Sequence, residues 1–524
     1  MKVNMKRFAV LVICLLFMAG NFAACGQNGK NTSDNSKDPN QSITETSSPA
    51  PILKVRYACP YSEPLELAKA EEAINAKLKA DGMNLEFKGI FIPMDVWEQK
   101  TNIMLSTGEE FELMHIMENQ IGTSVFAGRG ALTPLNDLLD EYGQDIKKHT
   151  EEFQWNCASV DGKIYSIPVN WKPLTTSINN SGNIGSRGDL LQKYGLSVPT
   201  TLEEYADTAA KLQKKVKDET GETWYCWRKL DFADIDIWRA FDTFPFYVDE
   251  AQIFYVTEQG DVKAWFETDE FKKQAVFMRQ MYKNGLLHPD ILSVSSDERS
   301  KRINDGEFLF CAGDVSTTEI DVKWQKNVGP DLFATIFRLA PEKPSYIRLG
   351  AFNSNAVPST SKHPEAGIQY LNWLHAKKEN LNLMAYGIEG EHYTKVSDTT
   401  IKTLYKEDGK TAKFQWPFWH MGIMEYRMFE SGMSDATIKS MTVPEDNQVP
   451  SITLGFAFNS QPVAAEYSNV LSVIKSDFYP IKMGVIDYEQ IYPTAVKKLK
   501  GAGIDKVIAE YDRQFKAWLE SKSK

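Results

Sequence analysis

Lys54-Val-Arg-Tyr-Ala58, Leu65-Glu-Leu-Ala-Lys-Ala-Glu-Glu-Ala-Ile-Asn-Ala-Lys-Leu78 and Asn84-Leu-Glu-Phe-Lys-Gly-Ile-Phe91 follow one another near the start of the folded chain, and their apolar spacing decides the fold class. The first alternates, as a half-buried strand does; the second has the spacing of a helix with one apolar face; the third is again extended. The grammar continues. Residues 96–105 read as a helix closed near Gly108 and residues 111–117 as a buried strand. Residues 134–139 read as a short helix whose start is marked by Thr133. Strands alternating with helices predict an α/β domain, since each helix must cover a sheet face.

The same grammar recurs downstream. Residues 164–169 are extended, and Thr201-Leu-Glu-Glu204 reads as a capping box opening a helix that sets Leu202, Tyr205, Ala209 and Leu212 on one face. A further helix opens near Thr268, groups Phe271, Ala275, Met278 and Tyr282, and ends at Gly285, which suits the left-handed residue of a helix terminus. Residues 309–312 and 352–357 are extended. Pro364 begins a helix with Ile368, Leu371 and Leu374 inward. A chain of 524 residues with 42% hydrophobic and 25% charged residues holds two or three such units. Its net charge of -11, with no basic stripe, excludes nucleic acid as a partner.

Upstream of the first strand the composition changes. Lys2, Lys6 and Arg7 precede an apolar run from Phe8 to Ala19, and Phe22-Ala23-Ala24 leads into Cys25, the order of a secretory signal. The run is shorter than the roughly 20 residues that span a bilayer. Small residues before a Cys, followed by Gly26, resemble the lipobox of bacterial lipoproteins, with Phe22 where Leu is usual, which implies cleavage after residue 24 and acylation of Cys25. Residues 26–51 are polar, with little apolar surface to bury, and read as a flexible tether. Cys59, Cys157, Cys226 and Cys311 are scattered without metal-ligand spacing and read as buried free thiols.

Several stretches in shared order resemble extracellular solute-binding proteins of the carbohydrate-importing family 1, in the lipoprotein branch with a long C-terminal extension. Asp161-Gly-Lys-Ile-Tyr-Ser-Ile-Pro168 is similar to that family's DGKIYGIP strand, with Ser166 in place of Gly. Leu132-Thr-Pro-Leu135, Arg187-Gly-Asp-Leu190, Met281-Tyr-Lys-Asn-Gly285 and Tyr386-Gly-Ile-Glu-Gly390 add to the likeness, as does Gly455-Phe-Ala-Phe-Asn459 leading into Glu466-Tyr467. The resemblance implies a two-lobed α/β fold of the periplasmic-binding-protein type, closing on ligand in a cleft between the lobes. It implies a signal peptide over residues 1–24 and a tether over 25–52. The first lobe would comprise residues 53–168 and 344–405, and the second 169–343 and 406–524 with the C-terminal extension. Crossings are expected near Val169, Pro344 and Tyr405. A lipid-anchored protein on the extracytoplasmic face of the cell membrane is implied, handing a sugar or oligosaccharide to the permease subunits of an ATP-binding-cassette importer, with no catalysis and no cofactor. A ligand-presenting sensor subunit and a surface carbohydrate-active enzyme are the alternatives.

The residues themselves argue against hydrolysis. No HExxH or GxSxG arrangement occurs, and the DxDxDG spacing of a calcium loop is missing. Polar and aromatic residues just after strands are the ligand-binding candidates: Glu118 and Asn119, Asn170 and Trp171, and Asp314. Trp238 with Arg239, Trp416 and Trp419 would extend the platform. Carboxylates and amides bond sugar hydroxyls, and an indole covers the apolar face of a pyranose.

Overall fold

The computed structural model describes residues 51–118, 121–170, 182–228, 230, 233–312, 320–409, 411–443 and 447–522. The opening strand, helix and strand are present as Leu53–Pro60, Leu67–Ala80 and Leu85–Ile92. The two strands pair in parallel from Leu53 opposite Leu85 to Pro60 opposite Ile92. The first sheet runs in the order Leu85–Ile92, Leu53–Pro60, Leu113–Met117, Asn353–Ala356, Ile167–Pro168, and only the Asn353–Ala356 strand opposes its neighbours. Side chains alternate across it as the period of two requires. Val55, Tyr57 and Cys59 enter one core with Phe87, Leu113 and Leu371, while Ala58 enters the other with Met114 and Trp97.

The second lobe is built on a smaller sheet in which Ile184–Arg187 lies between Phe310–Ala312 and Ala334–Phe337, antiparallel to both. Trp227 and Cys226 extend it by parallel bridges to Cys311 and Leu287. Because these bridges place Trp227 rather than Cys226 beside Cys311, the two thiols point to opposite faces. Cys226 packs with Ile184 and Tyr205, and Cys311 with Trp227 and Trp324. All four described cysteines are free. The C-terminal helices Tyr488–Gly501 and Ile504–Lys522 send Leu499, Val507, Tyr511 and Phe515 into the core that holds Tyr205, Trp238 and Phe271, so the extension is part of this lobe's interior.

Local sequence chemistry accounts for the helix starts. Thr201 accepts the Glu204 N–H at 3.2 Å, but the Glu204 carboxylate takes the N–H and hydroxyl of Thr200, both at 2.8 Å, one residue upstream of the expected capping box. Thr268 accepts the Phe271 N–H at 3.2 Å, and Pro364 occupies the first turn of Pro364–Ala376. The helix expected over residues 134–139 is Asn136–Tyr142. Thr133 does not start it, because its N–H and hydroxyl donate to Val357 and Pro358 carbonyls, at 2.9 and 3.2 Å, on the returning chain.

The crossings fall somewhat later than the resemblance implied. Val169 still donates to Asn353 O at 2.9 Å in the first sheet, and Ile184 is already in the second. Tyr346 belongs to the second core and Asn353 to the first sheet, so the return passes through residues 347–352. Phe414, Trp416, Met421 and Ile423 pack into the first core beside Val55 and Tyr370. That packing puts residues 414–423 on the first lobe, correcting the boundary drawn at 406, and the third passage lies beyond Ile423.

Candidate functional site

A cavity of about 150 Å³ opens where the two lobes, the 348–351 linker and the C-terminal extension meet. From the first lobe comes Glu118, immediately after the Leu113–Met117 strand. Its N–H donates to Phe352 O at 2.9 Å. Its carboxylate accepts the Thr123 N–H at 2.8 Å and the Thr123 hydroxyl in a very short contact. Gly122 allows this approach, since a Cβ there would stand 2.9 Å from Glu118 Oε2. Burial pushes the Glu118 carboxyl above its usual range, and the bonds from Thr123 oppose the shift.

The facing wall belongs to residues 247–250 of the second lobe. Asp249 Oδ1 accepts the N–H groups of Ile253 and Phe254, both at 2.7 Å. Burial nevertheless raises its carboxyl to about 7, with those N–H groups pulling the other way. Glu250 faces Arg348 of the linker, 2.7 Å from Nη2 to Oε1, both nearly fully buried. Gln154 ties the linker to the first lobe by donating to Gly350 O at 3.0 Å. Phe456, Tyr467 and Tyr511 of the extension complete the lining. Acceptors on both lobes and rings at one side suit a polyhydroxylated ligand that bridges the two.

Asp249 carries a testable pH dependence. A carboxyl raised above its unfolded value favours the neutral form in the folded state, so its stabilising contribution is complete below about pH 4 and is lost as pH rises through 7. Asp249→Asn, which keeps the acceptor oxygen, should flatten the fall in unfolding free energy between pH 4 and 7 by on the order of 2 kcal/mol, allowing for water in the cavity. Urea titrations at several pH values check this, and an unchanged slope would remove Asp249 as its source.

Of the candidates read from the sequence, Glu118 lines the cavity. Asn170 stands behind the lining, accepting from Gln154 Nε2 at 2.6 Å, while its carbonyl accepts the Met424 N–H at 2.8 Å. Trp238 and Arg239 are not brought to the cavity. Trp238 is 1% exposed, lies against Trp265 and donates to Gln274 at 2.7 Å. Arg239 is 0% exposed and donates to the carbonyls of Leu339, Ala340, Lys343 and Pro344 at 2.7–3.2 Å. Trp416 packs in the first core between Phe91 and Tyr57. Trp419 is partly exposed over His115 and His420, which burial keeps neutral by lowering His115 to about 3 and His420 well below its ordinary value. Asn119, Trp171 and Asp314 lie outside the described residues. Sequence reasoning missed Asp249, Glu250 and Arg348. Arg348, a charge in the short passage between two strands, was the signal available.

Two α/β lobes joined by crossing segments, with a polar cavity walled by both, define a hinged solute-binding architecture. The chain belongs to the bacterial extracellular solute-binding protein family, which it matches over residues 77–389, and residues 452–520 match a domain of unknown function, DUF3502. A carbohydrate ABC transporter substrate-binding protein of Streptococcus pneumoniae serotype 4 is 24% identical over 99% of both chains. The polygalacturonan/rhamnogalacturonan-binding protein YtcQ of Bacillus subtilis is 20% identical over 97% of this chain and 98% of its own. Among solved structures, the N-glycan transport solute-binding protein NgtS of Streptococcus pneumoniae, in complex with Man5GlcNAc, superposes with a TM-score of 0.71 at 19% identity, covering 90% of this chain and 99% of that one. The family is one of binding proteins rather than enzymes, and it places the protein on the extracytoplasmic side. Among the described residues, no helix is long and apolar enough to cross a membrane.

Proposed function

We propose that this protein captures a sugar or oligosaccharide in the interlobe cavity and hands it to the permease subunits of an ATP-binding-cassette importer, held at the membrane by an acylated Cys25. The observation that carries the ligand reading is the lining itself: hydrogen-bonding groups of Glu118, Asp249 and Gln154 from two lobes, with aromatic rings of the extension beside them. A ligand touching both walls favours the closed arrangement in proportion to its extra contacts there. The names of the Streptococcus relative and of the NgtS complex support a carbohydrate.

Thermal shift with a glycan panel tests the reading. A cognate glycan at 100 times its dissociation constant should add about 2.7 kcal/mol to stability, and a panel of linear and branched glycans that moves nothing would count against it. Asn119, Trp171 and Asp314, each just past a strand, remain proposed contacts, as does Trp419. Trp171→Ala should weaken the bound glycan by about 1–3 kcal/mol in calorimetry, and unchanged affinity would remove Trp171 from the site.

Anchoring rests on the small residues before Cys25 and the polar tether after it. Cys25→Ser should release unprocessed or soluble protein from the membrane fraction. Mass spectrometry finding an unmodified Cys25 inside a mature chain cut elsewhere would overturn the anchor.

A further inference from the structure

We propose that the interlobe cavity selects uncharged oligosaccharides, neutral or N-acetylated, and excludes uronic-acid oligomers; this rests on the carbohydrate reading above and names the class within it. Carboxyl groups from both lobes face the same space: Glu118 from the first, Asp249 and Glu250 from the second. Among the described lining residues the one cation is Arg348. That guanidinium is already engaged, with Nη2 2.7 Å from Glu250 Oε1 and Nη1 donating to Val248 O at 3.3 Å. Arg348 and Glu250 are 4% and 8% exposed, so water does little to screen them.

A sugar hydroxyl or acetamido N–H entering this space is a donor arriving among acceptors. A uronate carboxylate arrives instead as a further anion beside Glu118 and, above about pH 7 where Asp249 ionises, beside Asp249. At about 6 Å and an effective dielectric of about 20, one such like-charge contact lowers affinity on the order of 100-fold.

Calorimetry on the full mature protein with mannotriose, kestose, chitotriose and trigalacturonate decides the matter. The expected result is binding of at least one uncharged trisaccharide, with trigalacturonate about 100-fold weaker or silent. Glu118→Gln with Asp249→Asn should then strengthen trigalacturonate at least 10-fold. If that variant does not fold, the wild-type protein still reports, because rejection of trigalacturonate by charge must weaken as pH falls from about 8, where Asp249 is ionised, to about 5, where it is neutral. Trigalacturonate binding at about pH 8 as tightly as the best uncharged sugar, or rejection indifferent to pH, overturns the proposal. Failure of all four to bind overturns the carbohydrate reading and the proposal with it.

Discussion

Arg239→Ala should lower unfolding free energy by about 3–5 kcal/mol, read as a fall in the urea midpoint. The guanidinium is fully buried and supplies donors to four carbonyls of the 339–344 turn. Without it the Leu339 and Ala340 carbonyls lose their donor in the interior and those of Lys343 and Pro344 at its edge, and each unsatisfied buried group costs about 1–3 kcal/mol unless water enters. The turn has strain to release as well: Ala340 has φ +44°, a left-handed conformation that a side chain adopts at a cost. Arg239→Lys should rescue little, since one ammonium cannot reproduce a planar fork aimed at four oxygens. Adding Ala340→Gly to Arg239→Ala should return about 1 kcal/mol by relieving the backbone. A loss under 1 kcal/mol for Arg239→Ala would mean that the carbonyls find water and that the clamp is not structural.

Lys482→Met should cost a similar 3–5 kcal/mol, for a different reason. Lys482, in the extension, is 0% exposed, 3.0 Å from Asp234 Oδ2 and donating to Leu230 O at 2.8 Å. Arg228 holds both Asp234 and Asp236 at 2.5–2.8 Å, and Gln274 donates to Asp234 at 2.7 Å. Two cations and two carboxylates thus balance in a closed interior, and removing one cation strands a charge. Burial raises the Asp234 carboxyl, but Lys482 and Arg228 outweigh it and hold the group below its ordinary value. The contribution is therefore present above about pH 4 and is lost as pH falls through the lowered folded value. Asp234→Asn combined with Lys482→Met should cost less than the sum of the single changes, because the stranded charge is gone. Strict additivity in that cycle would show that the two groups do not act as a pair.

The alternation over residues 53–92 was legible because period and element coincide there, and so were the helix starts at Thr201 and Thr268, where a local bond does the work, and at Pro364, whose fixed φ suits a first turn. The cavity was legible only at Glu118. Its other walls come from residues 247–250, 348 and 456–511, and no local pattern reports that such distant segments share one space. Trp238 and Trp416 mark the opposite difficulty. An indole has the same appearance in sequence whether it faces a cleft or Trp265, and which face of a strand or helix looks inward is settled by the second layer that covers it. The third crossing failed for this reason: the resemblance puts Phe414 and Trp416 on the second lobe, and only the first core shows that they pack into the first.

Cys226 and Cys311 stand one residue out of step on neighbouring strands, with a sheet between their sulfurs. Burial in addition lifts the Cys157 thiol to about 11, leaving it little nucleophilic character at neutral pH. The four described cysteines therefore stay thiols in the finished fold. Reaching it calls for no disulfide among them, and a reducing, oxygen-poor habitat leaves their packing untouched.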